Sequence, residues 1–230
     1  MFEFLKMLFK ALNKRSVKIE DVAATDVPKQ EEKPTAEPVE AHKEHAEVDD
    51  GLMHISDQGL REIVSHEGVV LSKYLDSVGV WTIGIGATKA VVKDLDSWST
   101  DKTITVAEAF ELFRESVKVY ENAVRRALKV GVPQHSFDAL VSWCYNVGTG
   151  WPRKATVIKL INSGVRVDDH RVHKALMRFR KPKEIINRRR KEADLLCFGR
   201  YSGGNVATLF KVNKRHKPYP SKQINLNDYI

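Results

Sequence analysis

The chain has 230 residues, of which 42% are hydrophobic, and a formal net charge of +8. This length suits one domain with or without appendages, and no apolar run reaches the roughly eighteen residues that a membrane-spanning helix needs. Residues 1–50 hold 8 Lys and Arg and 12 Asp and Glu (net −4), which leaves 30 Lys and Arg and 18 Asp and Glu (net +12) in residues 51–230. The basic part should attract polyanions, either nucleic acid or an anionic cell-wall polymer.

Residues 1–14 have the pattern of an amphipathic helix, with large apolar side chains on one face and lysines opposite. Charges interrupt the apolar segment and no small-residue cleavage site follows closely, so we expect no cleaved signal peptide. Two interpretations stay open for this helix, which we extend to residues 1–18. It packs on protein, or its residues 1–14 contact a membrane surface.

Residues 19–51 are rich in Glu, Pro, Ala, Lys and His and almost lack large apolar side chains. Such a segment buries too little surface to offset the entropy lost on ordering, so we predict a disordered acidic, proline-rich linker. His42 and His45 are expected to be solvated, because no Cys or further His lies nearby to complete a metal site.

A helix followed by a hairpin is predicted next. Ser56 is a candidate N-cap, apolar residues follow at helical spacing, and Gly68 suits a left-handed stop, so the helix should end near Glu67. Residues 69–76 and 80–83 are rich in strand-forming residues and flank a turn, and Gly84 and Gly86 indicate a close backbone approach or a twist.

This arrangement would set Glu67 on one side of a gap and Asp76 and Thr82 on the other. Taken singly, each residue has a plainer interpretation: a solvated charge, a turn former and a strand residue. Taken together, two carboxylates on opposite walls of a cleft are what glycoside hydrolysis needs.

Helices are predicted for most of the chain up to Gly199. A capping box at Thr105 begins a long helix that should end near Gly131. A second, buried helix should stop near Gly148, and shorter helical patterns follow before a last helix after Pro182.

Several polar residues on these helices have two interpretations. Asn146 and Thr149, at the end of the buried helix, either face a substrate or cap and turn the chain. The run Arg188–Lys191 is either a solvated face or a contact to a wall polymer or phosphate. Cys144 and Cys197 lie in apolar contexts, which predicts reduced, buried thiols and synthesis in a reducing cytoplasm.

The end of the chain has a different character. Residues 206–212 read as a strand, whereas residues 217–222 contain two prolines and are predicted to form turns. We expect residues 200–230 to be an extension packed on a catalytic domain at residues 52–199.

The combined pattern resembles the phage-type lysozymes, the muramidases of tailed-phage endolysins. Their signature is a Glu near a helix C-terminus, an Asp nine residues later and a Thr six after that in a T-I-G-x-G run, matched here by Glu67, Asp76 and residues 82–86. Residues 139–150 and 187–192 resemble two further motifs of the family.

The resemblance implies an α+β lysozyme-like fold, in which a small hairpin-containing lobe and a larger helical lobe flank the active-site cleft. It implies hydrolysis of the β-1,4 bond between N-acetylmuramic acid and N-acetylglucosamine in peptidoglycan, without metal or cofactor. Glu67 is the expected general acid, which must carry a proton in an apolar setting or beside a carboxylate. Asp76 should stay ionised, to orient water or to stabilise the transition state, and Thr82 should help to hold that water, which favours inversion.

Other functions stay open at this point. They are a lytic transglycosylase using the same acid, and an inactive wall-binding or virion structural protein of the same fold. Nucleic-acid binding is disfavoured, because no recognition-helix motif or aromatic platform accompanies the charge. The resemblance also implies synthesis in the host bacterial cytoplasm and action at the cell wall or periplasm, with release by a separate pore-forming partner.

Overall fold

One helix, a hairpin, a series of helices and a second hairpin follow one another along the chain. The computed structural model describes residues 51–76 and 79–230. The helices are α1 (Asp57–Glu67), α2 (Val106–Arg125), α3 (Gln134–Val147), α4 (Thr156–Asn162), α5 (His170–Leu176) and α6 (Ile186–Phe198). The strands are β1 (Val69–Leu75), β2 (Trp81–Gly84), β3 (Ala87–Thr88), β4 (Val206–Val212) and β5 (Pro218–Asn225).

Three short 3-10 helices complete the described elements, at Leu95–Ser97, Lys183–Ile185 and Leu226–Asp228. The predicted helix at 1–18, the linker at 19–51 except its last residue, and the turn at residues 77–78 lie outside the described residues. In the described part of the chain, none of the helices is both long and apolar enough to cross a membrane.

The strands form one mixed sheet in the order β3-β2-β1-β4-β5. β1 pairs antiparallel with β2, where Tyr74 lies opposite Thr82. On its other side β1 pairs parallel with β4, where Val69 lies opposite Leu209. The C-terminal hairpin of β4 and β5 therefore continues the sheet that carries the predicted site.

The prediction of turns at residues 217–222 is wrong for residues 218–222, which lie in β5. Pro218 pairs with Val212 and Pro220 with Phe210. β5 is the outermost strand of the sheet, and an edge strand tolerates prolines because one of its sides has no neighbour to receive an N–H.

The helices pack around α3, most of which is buried. Its Trp143 and Phe137, with Phe113 of α2, are among the largest fully buried side chains of the core. The capping box at Thr105 is present. α2 ends at Arg125, more than one helical turn before the predicted end near Gly131. The segregation of a small sheet and a group of helices is the α+β class that the sequence predicts.

Candidate active site

Glu67 is the last residue of α1, where the helix meets the sheet. The Ser56 hydroxyl accepts a hydrogen bond from the Gly59 amide at 3.1 Å and so begins the helix. Gly68 ends it with φ +72°, and a Cβ at this position would overlap the ring of Phe210 on β4. Only glycine allows this close turn into β1. Glu67 is thereby fixed at the junction of helix and sheet, with 8% of its side chain exposed.

A buried arginine of α6 holds the Glu67 carboxylate. Arg188 donates from Nη1 to Glu67 Oε1 at 2.6 Å and from Nε to Glu192 Oε1 at 2.9 Å. Burial alone lowers the pKa of Arg188, but the charges of Glu67 and Glu192 outweigh it and raise the pKa above its ordinary value. The cation beside Glu67 is therefore permanent. Within residues 51–76 and 79–230, no hydrogen bond is made to Oε2 of Glu67.

A second arginine completes the network behind this pair. Arg189 is fully buried, donates to Glu192 Oε2, and reaches Asn146 Oδ1 at 2.5 Å. Burial alone raises the pKa of Glu192, but the charges of Arg189 and Arg188 outweigh it and lower the pKa. Glu192 is therefore an ionised carboxylate between two guanidinium groups, and it fixes the orientation of Arg188.

The prediction that Arg188–Lys191 is a solvated face is wrong for its first two residues. Arg188 and Arg189 point into the network, whereas Arg190 and Lys191 are exposed. The reason is helical geometry, since consecutive residues point in directions about 100° apart.

Asp76 and Thr82 are held together by one residue, Val80, at the end of the β1–β2 hairpin. The Val80 amide donates to Asp76 Oδ1 at 2.8 Å, and the Asp76 amide donates back to the Val80 carbonyl at 3.0 Å. The Thr82 hydroxyl donates to the same carbonyl at 3.1 Å. Both side chains are almost fully buried, Asp76 at 1% and Thr82 at 1% exposure. The hairpin thus fixes a carboxylate and a hydroxyl side by side.

Tyr74 links the two sides of the site electrostatically. It lies opposite Thr82 in the hairpin register and is buried. Its pKa is raised above the ordinary value first by burial and then by the charges of Glu67 and Asp76. Both carboxylates therefore act on the same buried phenol.

A tyrosine of α3 supports the glycine-rich end of the hairpin. The Tyr145 hydroxyl donates to the Ile85 carbonyl, and its ring packs 4.6 Å from that of Tyr120. Burial raises the pKa of Tyr120 to about 12. Gly86 has φ +87°, and a Cβ there would lie 2.8 Å from the Tyr145 hydroxyl oxygen. The second glycine of the T-I-G-x-G run is therefore required by this close approach.

The other predicted substrate contacts occupy different surroundings. The Asn146 side chain is buried and accepts from Arg189, so it belongs to the arginine network. Thr149 is exposed in the turn after α3. A role for either residue in substrate binding stays a prediction. In the described part of the chain no group of three or more His, Cys, Asp or Glu could hold a metal ion.

Sequence reasoning did not assign the arginine network a role in the site. Its signal was present in the sequence, because Glu192 follows Arg188 by four residues and Arg189 by three, the spacings that place side chains together on a helix. The contact of Arg188 with Glu67, 121 residues earlier in the chain, has no signal in the neighbouring sequence.

The same region of the chain matches known proteins. The sequence profile of the phage lysozyme family matches residues 64–192, more than half of the chain and all of the residues described above from Glu67 to Glu192. The chain belongs to the phage lysozyme family. The predicted resemblance is therefore confirmed.

Individual relatives agree with this assignment. The chain is 37% identical over 114 residues to the endolysin of Bacillus phage PZA, covering 49% of this chain and 42% of that protein. It is 34% identical over 111 residues to the endolysin of Salmonella phage P22, covering 48% of this chain and 75% of that protein. The chain thus spans less than half of the first relative and three quarters of the second.

The solved structure of the endolysin from Escherichia coli O157:H7 phage FAHEc1 is similar to this fold, with 33% identity and a TM-score of 0.57 over 65% of this chain and 96% of that one. The lysozyme-like α+β fold is confirmed. Membership of the phage lysozyme family supports the prediction of an endolysin-type glycoside hydrolase.

Proposed function

We propose that this chain is an endolysin-type lysozyme that hydrolyses the β-1,4 bond between N-acetylmuramic acid and N-acetylglucosamine in bacterial peptidoglycan. The observation that carries the proposal is that an arginine-held Glu67 and the Val80-held pair of Asp76 and Thr82 lie at the two ends of β1, inside the segment that matches the family. Peptidoglycan is the substrate that family membership implies.

Glu67 acts as the general acid. Its Oε1 is occupied by Arg188, so the proton leaves from Oε2 and passes to the glycosidic oxygen as the bond to the anomeric carbon breaks. The hydrogen bond from Arg188 to Oε1 fixes the direction of this transfer, because a carboxyl held through one oxygen cannot rotate freely.

Asp76 and Thr82 act on the opposite side of the sugar. The Asp76 carboxylate accepts a proton from a water molecule while the water oxygen bonds to the anomeric carbon, and the Thr82 hydroxyl is the second ligand of that water. Fixing the water with two groups pre-organises the attack. Attack from the side opposite the leaving group inverts the configuration at the anomeric carbon.

The charge of the folded region favours this substrate. Residues 51–230 carry a formal net charge of +12, and bacterial walls contain anionic polymers. A field of this sign raises the local concentration of a polyanion and the rate of encounter, with an effect that salt weakens.

Digestion of purified peptidoglycan tests the proposal. Wild type, Glu67→Gln and Asp76→Asn are compared with Glu115→Gln, in which the lost carboxylate belongs to an exposed pair with Lys118. We expect wild type and Glu115→Gln to release muropeptides that end in reducing N-acetylmuramic acid. We expect the two site variants to lose at least about 100-fold in rate, with unchanged far-UV circular dichroism.

The product identifies the reaction. Anhydro-muramic ends would show a lytic transglycosylase, and retained anomeric configuration in the first product would exclude the inverting step at Asp76. No cleavage by folded wild type would favour a binding or structural protein of the same fold. Full activity in Glu67→Gln would contradict the assignment of the acid.

We further propose that the protein is made in the host cytoplasm and reaches the wall with the help of a separate pore-forming partner, and that residues 1–14 contact the membrane surface. The support is the amphipathic pattern of that segment and the resemblance to endolysins. Deletion of residues 1–50 should move the protein from the membrane fraction to the supernatant. Unchanged fractionation would contradict the membrane contact.

A further inference from the structure

The turn between β4 and β5 lies against the end of β1, next to Asp76. This turn, residues 213–217, falls outside the family match at residues 64–192. Its position follows from the sheet topology, since β4 runs parallel to β1 and the chain, continuing in the same direction past Val212, reaches the end of β1. A segment beyond the family profile therefore reaches the backbone of Asp76, the predicted catalytic residue.

The turn is internally organised. Asn213 Oδ1 accepts from the Arg215 amide at 2.8 Å and from the Lys217 amide at 3.1 Å, and the Asn213 amide donates to the Lys217 carbonyl at 3.0 Å. His216 has φ +56°, a left-handed conformation that few residues adopt without such support. The turn thus presents His216 and Lys217 in a fixed arrangement.

Both residues bond to the β1 end. The Leu75 amide donates to the His216 carbonyl at 3.0 Å. Lys217 Nζ donates to the Leu75 carbonyl at 3.2 Å and to the Asp76 carbonyl at 3.2 Å. The His216 ring packs edge-on against Trp81, with centroids 5.2 Å apart. A charged donor on two successive carbonyls is a strong constraint on backbone direction.

We propose that this turn positions Asp76 for catalysis and that Lys217 is the positioning residue. Val80 fixes the Asp76 side chain from within the hairpin, and Lys217 fixes its backbone from the other side. The inference rests on the proposed catalytic role of Asp76. Lys217 bonds to the Asp76 backbone, and through it holds the carboxylate at the distance that the attacking water requires.

Lys217→Met tests this, with Lys214→Met as the matched control. Both variants lose one cation from the same turn, and Lys214 is exposed. We expect Lys217→Met to lower kcat on the order of 10–100-fold with KM changed less than about twofold, because displacement by about an ångström has that effect on rate. Lys214→Met should match wild type, and Lys217→Arg, which keeps charged donors, should recover part of kcat.

A second readout does not depend on activity. Amide hydrogen exchange should become faster at Asp76 and Val80 in Lys217→Met, with unchanged protection in α3. If wild type cleaves peptidoglycan and Lys217→Met keeps its kcat, the positioning role is overturned while the proposed function stands. If KM rises instead and kcat holds, the turn binds substrate and the proposal is likewise overturned.

The inference stays testable if wild type is inactive or if Lys217→Met does not fold. If wild type does not cleave, the proposed function fails, and unchanged exchange at Val80 in Lys217→Met would separately overturn the inference. If Lys217→Met does not fold, Asn213→Ala decides, since it loosens the turn and leaves Lys217 in place. Wild-type kcat and exchange in that variant would overturn the proposal.

Discussion

Replacing Glu62 with glutamine removes the charge from a carboxylate that the fold buries completely. Its Oε2 accepts from the amides of Ser202 at 2.8 Å and Gly203 at 2.5 Å, and its Oε1 accepts from the Ser202 hydroxyl at 2.6 Å. His66 Nε2 lies 3.3 Å from the same Oε1. Glu62 thus joins α1 to the start of the C-terminal extension.

These partners determine the size of the effect. Burial alone raises the pKa of Glu62, but the nearby His66 and the hydrogen bonds from Ser202 outweigh it and lower the pKa from 4.5 to about 2. At about 1.4 kcal/mol for each pH unit between the unfolded and folded values, the ionised carboxylate contributes about 3 kcal/mol to the free energy of unfolding. Because the folded pKa is the lower one, this contribution is complete above pH 4.5 and is lost as the pH falls toward 2.

Urea denaturation of wild type and Glu62→Gln between pH 7 and pH 2.5 measures this directly. We expect the variant to be less stable by about 3 kcal/mol at pH 7, with the difference shrinking by about 1.4 kcal/mol per pH unit below pH 4.5. Glu115→Gln, at an exposed surface pair, should differ from wild type by less than about 1 kcal/mol. Stability curves of wild type and Glu62→Gln that run parallel from pH 7 to pH 2.5 would refute the reasoning.

Two further substitutions test the supports of the site by the same denaturation measurement. Arg188→Met leaves Glu67 without its cation and Glu192 with only Arg189, and should cost about 3–5 kcal/mol. The exposed Arg190→Met should cost less than about 0.5 kcal/mol, and equal losses would contradict the buried network. In Gly86→Ala, the alanine has to keep φ +87°, and its Cβ would lie only 2.8 Å from the Tyr145 hydroxyl oxygen, which has to move. In Gly164→Ala, the alanine has to keep φ +84°, but its Cβ has no neighbouring atom within 4 Å. We expect about 1–2 kcal/mol for Gly164→Ala and about 1–3 kcal/mol more for Gly86→Ala, from the lost hydrogen bond; the same loss in both would contradict the role of the tyrosine.

Local signals in the sequence predicted the elements that carry the site. Ser56 and Gly68 bound α1 as the capping pattern indicates, and the reciprocal bonds of Thr105 and Glu108 begin α2. The strand at residues 206–212 has the predicted bounds. Each of these features depends on side chains within a few residues of one another, so the local sequence is sufficient to predict it.

Relations across the chain were not predictable in this way. The parallel pairing of β1 with β4 joins residues about 140 positions apart, and nothing in either strand specifies its partner. The edge position of β5 is a consequence of that pairing, and it is what makes Pro218 and Pro220 compatible with a strand. Without the sheet order, the same prolines indicate a turn.

The arginine run of α6 was predictable in part: its burial has a signal in the local sequence, but its contact with Glu67 has none. Four consecutive helical residues cover about 300° of the circumference, so no single solvated face can hold all of Arg188–Lys191. Arg189 lies four residues before the buried Ala193, and therefore on its face of the helix. Glu192 follows both buried arginines at pairing distance. A cation run on a helix with an apolar stripe and a carboxylate three or four residues later thus predicts a buried ion pair. What the pattern does not predict is that the outer arginine of that pair reaches Glu67, because that contact depends on how α6 packs against α1 and α3.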